Sequence, residues 1–366
     1  MNRFRHLVSA RFAIVAAIVI GAAVTLNLRA SPIRSDESVW FFPTTAVQLP
    51  GGAWELAVHA WVFEMEGGFL GDFQAIDWSS RAIRNSIDDV LDSTDLNGDD
   101  DVFRDRIRFF TPLMDNERRK EIELRIDEES VQLAPTEANG HVFDTIRYSG
   151  NAAPGSWFAF SGEHPAGETI EGAVQLIPPT GRSVISDVDD TIKVSDVLDK
   201  RALLANTFFN PYVAVGGMPE FYSDALNGRY FHYVSASPWR LHPALAPFMS
   251  QFPAGAIYLR HLRIQDRSFI DFLGSSAEYK VETIAAIVER YPGHSFTLIG
   301  DAGEHDPEVY AEIFSRYTAQ VEAIMIRDVP GAEWTATRFA TRYPDIPSEQ
   351  WTFFDSPQAI DPGMLD

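Results

Sequence analysis

The chain has 366 residues, 45% of them apolar and 22% charged, which describes an ordinary globular protein with room for two domains. Its 24 Gly and 22 Pro exclude collagen-like and low-complexity classes, and the absence of Cys excludes disulfides, thiolate catalysis and Cys-based zinc sites. Residues 1–35 hold five Arg and no acid, leaving 25 bases against 52 acids in the body; such a surface repels polyanions and argues against nucleic acid as a partner.

Arg3, Arg5 and Arg11 precede an apolar run from Phe12 to Leu28. A basic head and such a run predict export to the periplasm or cell exterior, with residues 1–35 acting as a cleaved secretory signal or as an uncleaved anchor that associates the protein with a membrane. After the linker Ser31–Ser38 the chain reads as strands. Residues 53–63 place Trp54, Leu56, Val58, Ala60 and Val62 on one face, and residues 121–126 alternate Ile122, Leu124 and Ile126 with Glu121, Glu123 and Arg125. Ser156–Phe160 and Ala173–Ile177 continue the pattern, with one helical patch around Ser80–Leu91. Period-two alternation predicts a mostly antiparallel β domain over 37–179, buried on one face and wet on the other.

From Gly181 short apolar strands alternate with helical segments. Strands are expected at Val184-Ile185, Phe231–Val234, Ala256–Leu259, Phe296–Ile299 and Val321–Ile326, and helices over Ala277–Arg290 and Pro307–Tyr317. This alternation predicts an α/β domain over 181–366, a parallel sheet with helices on both faces. In such sheets function gathers beyond the C-terminal ends of the strands.

Those ends carry the chemistry. The first strand runs into Asp187-Val188-Asp189-Asp190-Thr191, the second into Ser235-Ala236-Ser237, and the fourth into Gly300-Asp301 with His305 and Asp306 after it. Three acids within four residues are costly unless a cation or proton offsets them. Lys280, one of four Lys in the chain, falls in the first turn of a helix, where the macrodipole disfavours a cation; Ser275 and Glu278 form the capping box that would start it. A strand-end carboxylate can attack phosphorus, an acid two residues on can move the leaving-group proton, and oxygen ligands from two strand tips suit Mg²⁺. A hydroxyl and an ammonium would hold the remaining phosphoryl oxygens.

D-x-D-x-T, a strand-end Ser, a lone Lys and G-D-x-x-x-x-D, in that order, resemble the haloacid dehalogenase superfamily. More narrowly, SDVDDTIKVSDV, FHYVSASPWRL and FTLIGDAGEHDPEVY look like the actin-patch-associated phosphatidate phosphatase family and its bacterial relatives, and DNERRK (Asp115–Lys120) looks like that family's N-terminal β domain. The resemblance implies a Rossmann-like, haloacid dehalogenase-like fold and a Mg²⁺-dependent phosphatase acting on phosphatidate or another phosphomonoester. It implies Asp187 as nucleophile and metal ligand, Asp189 as acid/base with its backbone carbonyl on the metal, and Asp301 as the further ligand. Thr191, Ser235 and Lys280 would hold the phosphoryl group and brace the loop, and Asp306 would support the site. Apart from the resemblance, His305 in the loop after Asp301 is a candidate supporting residue that contacts substrate. Two alternatives stand beside this one: the same chemistry on a soluble phosphomonoester or phosphoprotein, and a non-catalytic envelope binding protein. Asp190, Lys193 and Asp196 read as solvated flap charges, Asp95–Asp101 as an acidic surface loop, and Trp54, Trp61 and Trp78 as core. The short gaps between Asp187, Ser235 and Lys280 leave no room for a large cap and predict an open site.

Overall fold

The structure, a computed structural model, describes residues 29–65, 100–110, 114–261 and 277–365. The apolar run Phe12–Leu28, the patch Ser80–Leu91, Trp78, Ser275 and most of the Asp95–Asp101 loop lie outside the described residues. Among those described, no helix is long and apolar enough to cross a membrane.

The alternating segments form one mixed sheet of β1 (Glu37–Phe42), β2 (Thr44–Gln48), β3 (Trp54–Met65), β4 (Met114–Asn116), β5 (Glu123–Ile126), β6 (Glu129–Gln132), β7 (His141–Tyr148), β8 (Trp157–Glu163) and β9 (Thr169–Ile177). Its long strand β3 takes β1 and β2 along one edge and β7 and β4 along the other, and from β2 the order continues β9, β8, β5, β6. Every pairing in it is antiparallel except β2 with β9. Leu56, Val58, Leu124, Ile126, Val142 and Val174 meet in its core, as the alternation demands. The alternation on β3 stops at Val58, beyond which both faces are buried. The reason is the second domain: Trp61 and Phe63 turn towards it and join a cluster with Phe42, Trp239 and Met218. Trp54 and Trp61 are core residues, 1% and 0% exposed. In the Asp115–Lys120 segment Lys120 is buried between Glu37 and Glu117, tying the start of β1 to the turn after β4.

The second domain is built on six parallel strands, β10 (Thr180–Ser186), β11 (Tyr230–Pro238), β12 (Gly255–Arg260), β13 (Gly293–Asp301), β14 (Val321–Arg327) and β15 (Trp351–Phe354), in the order β12-β11-β10-β13-β14-β15. Successive side chains point to opposite faces. Ile185, Leu298 and Ile324 meet α5 (Ala277–Arg290) and α6 (Asp306–Arg316), whereas Val184, Ile299 and Met325 meet α3 (Met218–Asp224) and α4 (His242–Met249). Three further helices are α1 (Asp100–Ile107), α2 (Lys200–Phe208) and α7 (Ala336–Arg342); Leu203 of α2 and Arg338 of α7 line a pocket with Ala302 and Gly303 just beyond β13. The sheet was expected to have five strands; β15 was missed because the run Trp351–Phe354 is short and lacks a period. Strand order reverses between β10 and β13, the neighbours whose C-terminal ends carry Asp187 and Asp301, and such a switch point opens a crevice for ligands.

Candidate active site

Strand register brings the acids together. Ser186 lies opposite Ile299, and Asp187 N–H donates to the Ile299 carbonyl at 2.8 Å, so Asp187 and Asp301 leave the sheet side by side. Asp306 folds back at the start of α6, its Oδ2 accepting from Asp301 N–H at 3.1 Å. That return needs Gly300: a Cβ there would stand 2.3 Å from Asp306 Oδ2 and 2.7 Å from the Tyr310 ring. One carboxylate oxygen from each of Asp187, Asp301 and Asp306 lies within 4.8 Å of the others, and all three residues are buried.

Lys280 enters this group from the first turn of α5, 1% exposed, with Nζ at 2.8 Å from Asp187 Oδ1, 2.5 Å from Asp306 Oδ1 and 3.1 Å from Glu304 Oε2. Burial alone would lower its pKa, but Asp187, Asp306 and Glu304 outweigh that and raise it well above the ordinary value. For Asp187, burial raises the carboxyl pKa and Lys280 does not bring it back; for Asp301, burial and then Asp306 and Asp187 raise it. Four carboxylates around one ammonium leave an excess of negative charge in a dry site, which calls for protons or a further cation. Asp301 gives the more local sign. Its Oδ1 accepts from Gly303 and Glu304 N–H at 2.6 and 3.1 Å, while Oδ2 is buried with no partner. An orphaned carboxylate oxygen between two further acids fits the oxygen-only donor set of Mg²⁺.

Asp189 stands apart from this cluster. Its Oδ1 lies 2.7 Å from Lys193 Nζ and accepts from Ser195 Oγ at 2.7 Å; its Oδ2 accepts from Ser235 and Ser237 Oγ at 2.9 and 3.1 Å. Burial would raise its pKa, but Lys193 and the hydroxyls prevail and lower it, so the group is held as a carboxylate. Ser235 is fully buried and faces Asp189 rather than open space. Thr191 Oγ1 donates to Asp187 Oδ2 at 3.0 Å, which braces Asp187. His305 is exposed and pairs with Glu308 at 2.9 Å, away from the carboxylate cluster.

Two expectations are corrected. Asp190 and Lys193 are not solvated flap charges but buried ones. Asp190 accepts from Ser195, Asp196 and Val197 N–H at 2.9, 3.0 and 2.7 Å and organises the flap, and its carbonyl takes a bond from Arg327. The site is also less open than the short gaps implied: Asp187 is 2% exposed, and the flap leans Val197 towards Gly303. Sequence reading missed Glu304, Ser195 and Ser237. It passed over Lys193 although the scarcity of Lys that marked Lys280 marks it equally.

The stretch that carries these residues is similar to known proteins. Residues 182–328 match the family model described as phosphatidate phosphatase APP1, catalytic domain. The chain is 34% identical over 170 residues to the phosphatidate phosphatase APP1 of Saccharomyces cerevisiae, a stretch covering 44% of this chain and 28% of the yeast protein. It is 29% identical over 203 residues to an uncharacterized protein of Schizosaccharomyces pombe, covering 49% of this chain and 33% of that protein. The chain thus spans about a third or less of the curated relatives it matches.

Proposed function

We propose that this chain is a phosphomonoester hydrolase working through an aspartyl-phosphate on Asp187, with phosphatidate as its substrate. The observation that carries the reading is the buried excess of carboxylate around Lys280 at the switch point of the sheet, with Asp301 Oδ2 left unpartnered. The yeast relative's name supplies the substrate.

Asp187 attacks phosphorus, a P–O bond forms, and the bond to the leaving oxygen breaks as Asp189 supplies that oxygen with a proton. Water then attacks the acyl phosphate, Asp189 takes its proton, and phosphate leaves with Asp187 restored. The arrangement seen, with Asp189 held as a carboxylate by Lys193 and three Ser, is the one suited to taking a proton from water. An incoming phosphoryl dianion competes for Ser235 and Lys193 and so raises the proton affinity of Asp189 for the first half-reaction. Thr191 holds Asp187 in line, and Lys280 neutralises charge on nucleophile and phosphate. Asp187, Asp301 and the Asp189 backbone carbonyl would hold Mg²⁺, which when bound offsets the charge of the phosphoryl oxygens.

Export through the basic head and apolar run of residues 1–35 belongs to the same proposal, and cell fractionation tests it: full-length protein in the cytosol contradicts it. The strongly acidic body favours a second substrate, a soluble phosphomonoester, because an anionic bilayer repels it. The deciding experiment measures phosphate released from dispersed phosphatidate and from glycerol phosphate with Mg²⁺. Release from phosphatidate by the wild type and not by Asp187→Asn is expected. Equal rates in both proteins overturn the reading, and release from glycerol phosphate alone selects the soluble substrate.

A further inference from the structure

Beside the carboxylates a trough of about 640 Å³ runs between the flap and α7. It is continuous with the candidate active site, because Ala302, Gly303 and Glu304 line it and Glu304 also touches Lys280. A volume of this size suits a small organic group.

The far walls of the trough are apolar and fixed in place. Val197 and Leu198 come from the flap, Leu203 from α2, and Trp334 from the loop before α7. Leu198 is 49% exposed, a large apolar side chain presented to solvent. Its backbone is held on both sides. Upstream, Asp190 accepts the N–H groups of Ser195, Asp196 and Val197, and Asp190 and Asp196 both adopt left-handed conformations, with φ of 53° and 57°. Downstream, Asp199 caps α2 by accepting from Arg201 and Ala202 N–H at 2.9 and 3.2 Å. Two uncommon backbone conformations and five hydrogen bonds therefore hold an apolar side chain out in water beside the carboxylates. Trp334 is 7% exposed and stacks on Tyr343 at 5.9 Å, so its wall is rigid as well. Most charges at the rim answer one another: Arg338 pairs with Glu333 at 2.9 Å, His305 with Glu308 at 2.9 Å and Glu304 with Lys280 at 3.1 Å, while Lys200, exposed at the start of α2, adds an ammonium there. Groups already paired offer little to a polar substituent, whereas exposed Leu198 gains from being covered.

We infer that this trough receives the organic part of the phosphomonoester, that it favours an apolar group there, and that Leu198 and Trp334 set that preference. The inference rests on the hydrolase reading above and adds which side chains select the substrate.

The test is kcat/KM of the full chain on ethyl, butyl and hexyl phosphate, all soluble as single molecules. Full burial of a methylene is worth roughly fourfold. A half-open trough gives about twofold for each, so over four methylenes the wild type should prefer hexyl over ethyl phosphate by about sixteenfold. Leu198→Gln should bring that ratio close to one, as should Trp334→Leu if its melting temperature matches the wild type. Val213→Gln, at another exposed apolar residue outside the trough, should leave the ratio unchanged. A ratio in Leu198→Gln equal to that of the wild type overturns the inference, and so does equal loss in Val213→Gln. If no alkyl phosphate is hydrolysed, binding of hexyl- and ethylphosphonate by calorimetry decides the trough on its own, and the phosphatidate assay above decides the hydrolase reading. A preference of about sixteenfold for hexylphosphonate that Leu198→Gln abolishes supports it; equal affinities in the wild type refute it.

Discussion

Two of the clusters of titratable side chains among the described residues are largely buried and are built on opposite terms. At the tips of β10 and β13, Asp187, Asp301, Asp306 and Glu304 surround Lys280. Where β3 and β7 face α4, His59, His141, His242 and His261 pack among Phe42, Phe143 and Trp239. His59 Nε2 and His141 Nδ1 lie 2.9 Å apart, a contact in which one ring donates and the other accepts. Burial drives these histidines to the neutral state: His59 falls well below its ordinary value, His141 to about 2 and His242 to about 4, with like-charge neighbours adding to the fall at the first two. One cluster retains an excess of charge in a dry site, and the other sheds its charge altogether. Burial and titratable residues alone therefore do not mark chemistry; uncompensated charge does.

The comparison breaks most sharply at Asp187. Asp187→Asn should cost about 10⁴-fold or more in kcat, whereas His59→Phe should leave kcat within about twofold, as measured by phosphate release. At Gly300 the acid cluster is tested by shape alone: Gly300→Ala pushes a Cβ into Asp306 and should cost about 10²-fold in turnover. Binding separates the clusters next. Mg²⁺ at a hundred times its Kd should stabilise the wild type by about 2.7 kcal/mol, seen as a rise of several degrees in melting temperature. Asp301→Asn should abolish that rise and the histidine variant should keep it.

The pH dependence is the most diagnostic, because the two clusters should respond with opposite sign. Above pH 6.5 the histidines are neutral folded and unfolded, so they contribute no slope. Below it the unfolded chain takes up protons that the folded one refuses, and stability falls by about 1.4 kcal/mol per pH unit for each histidine, down towards the folded value of about 2 at His141. The carboxyls of Asp187 and Asp301, raised in the folded state, work the other way in metal-free protein. They contribute stability that is complete below about pH 4 and lost as pH rises through their folded values. Melting curves of metal-free protein from pH 4 to 8 should show both limbs, with His59→Phe flattening the acidic one and Asp301→Asn the other.

Much of the acid cluster was legible in the sequence and almost none of the histidine cluster was. Asp187, Asp189, Ser235 and Asp301 follow strands whose apolar runs are plain, and Lys280 sits in a helix with a clear period, so local pattern alone put them at the strand tips. His59 and His141 sit on strands of the first domain and His242 on a helix of the second, and no local pattern tells which faces of two domains will meet. The same reason explains why Trp61 and Phe63 broke the alternation of β3. Asp190 and Lys193 were misread because acids and lysines are solvated far more often than not. Their burial follows from the left-handed turns at Asp190 and Asp196, which fold the flap onto itself. Glu304 was passed over between two better-marked neighbours, Asp301 and Asp306, although the same loop delivers all three.

The central claim is that the charge excess around Lys280 serves phosphoryl transfer to Asp187. Reduction of the protein with borohydride during turnover of phosphatidate with Mg²⁺ tests it most directly, because an acyl phosphate is converted to an alcohol and peptide mass spectrometry locates the residue. Homoserine at position 187, and at none of positions 189, 301 and 306, is the expected result. Turnover with no reduced residue at position 187, or with the reduced residue at another of these positions, would contradict the account.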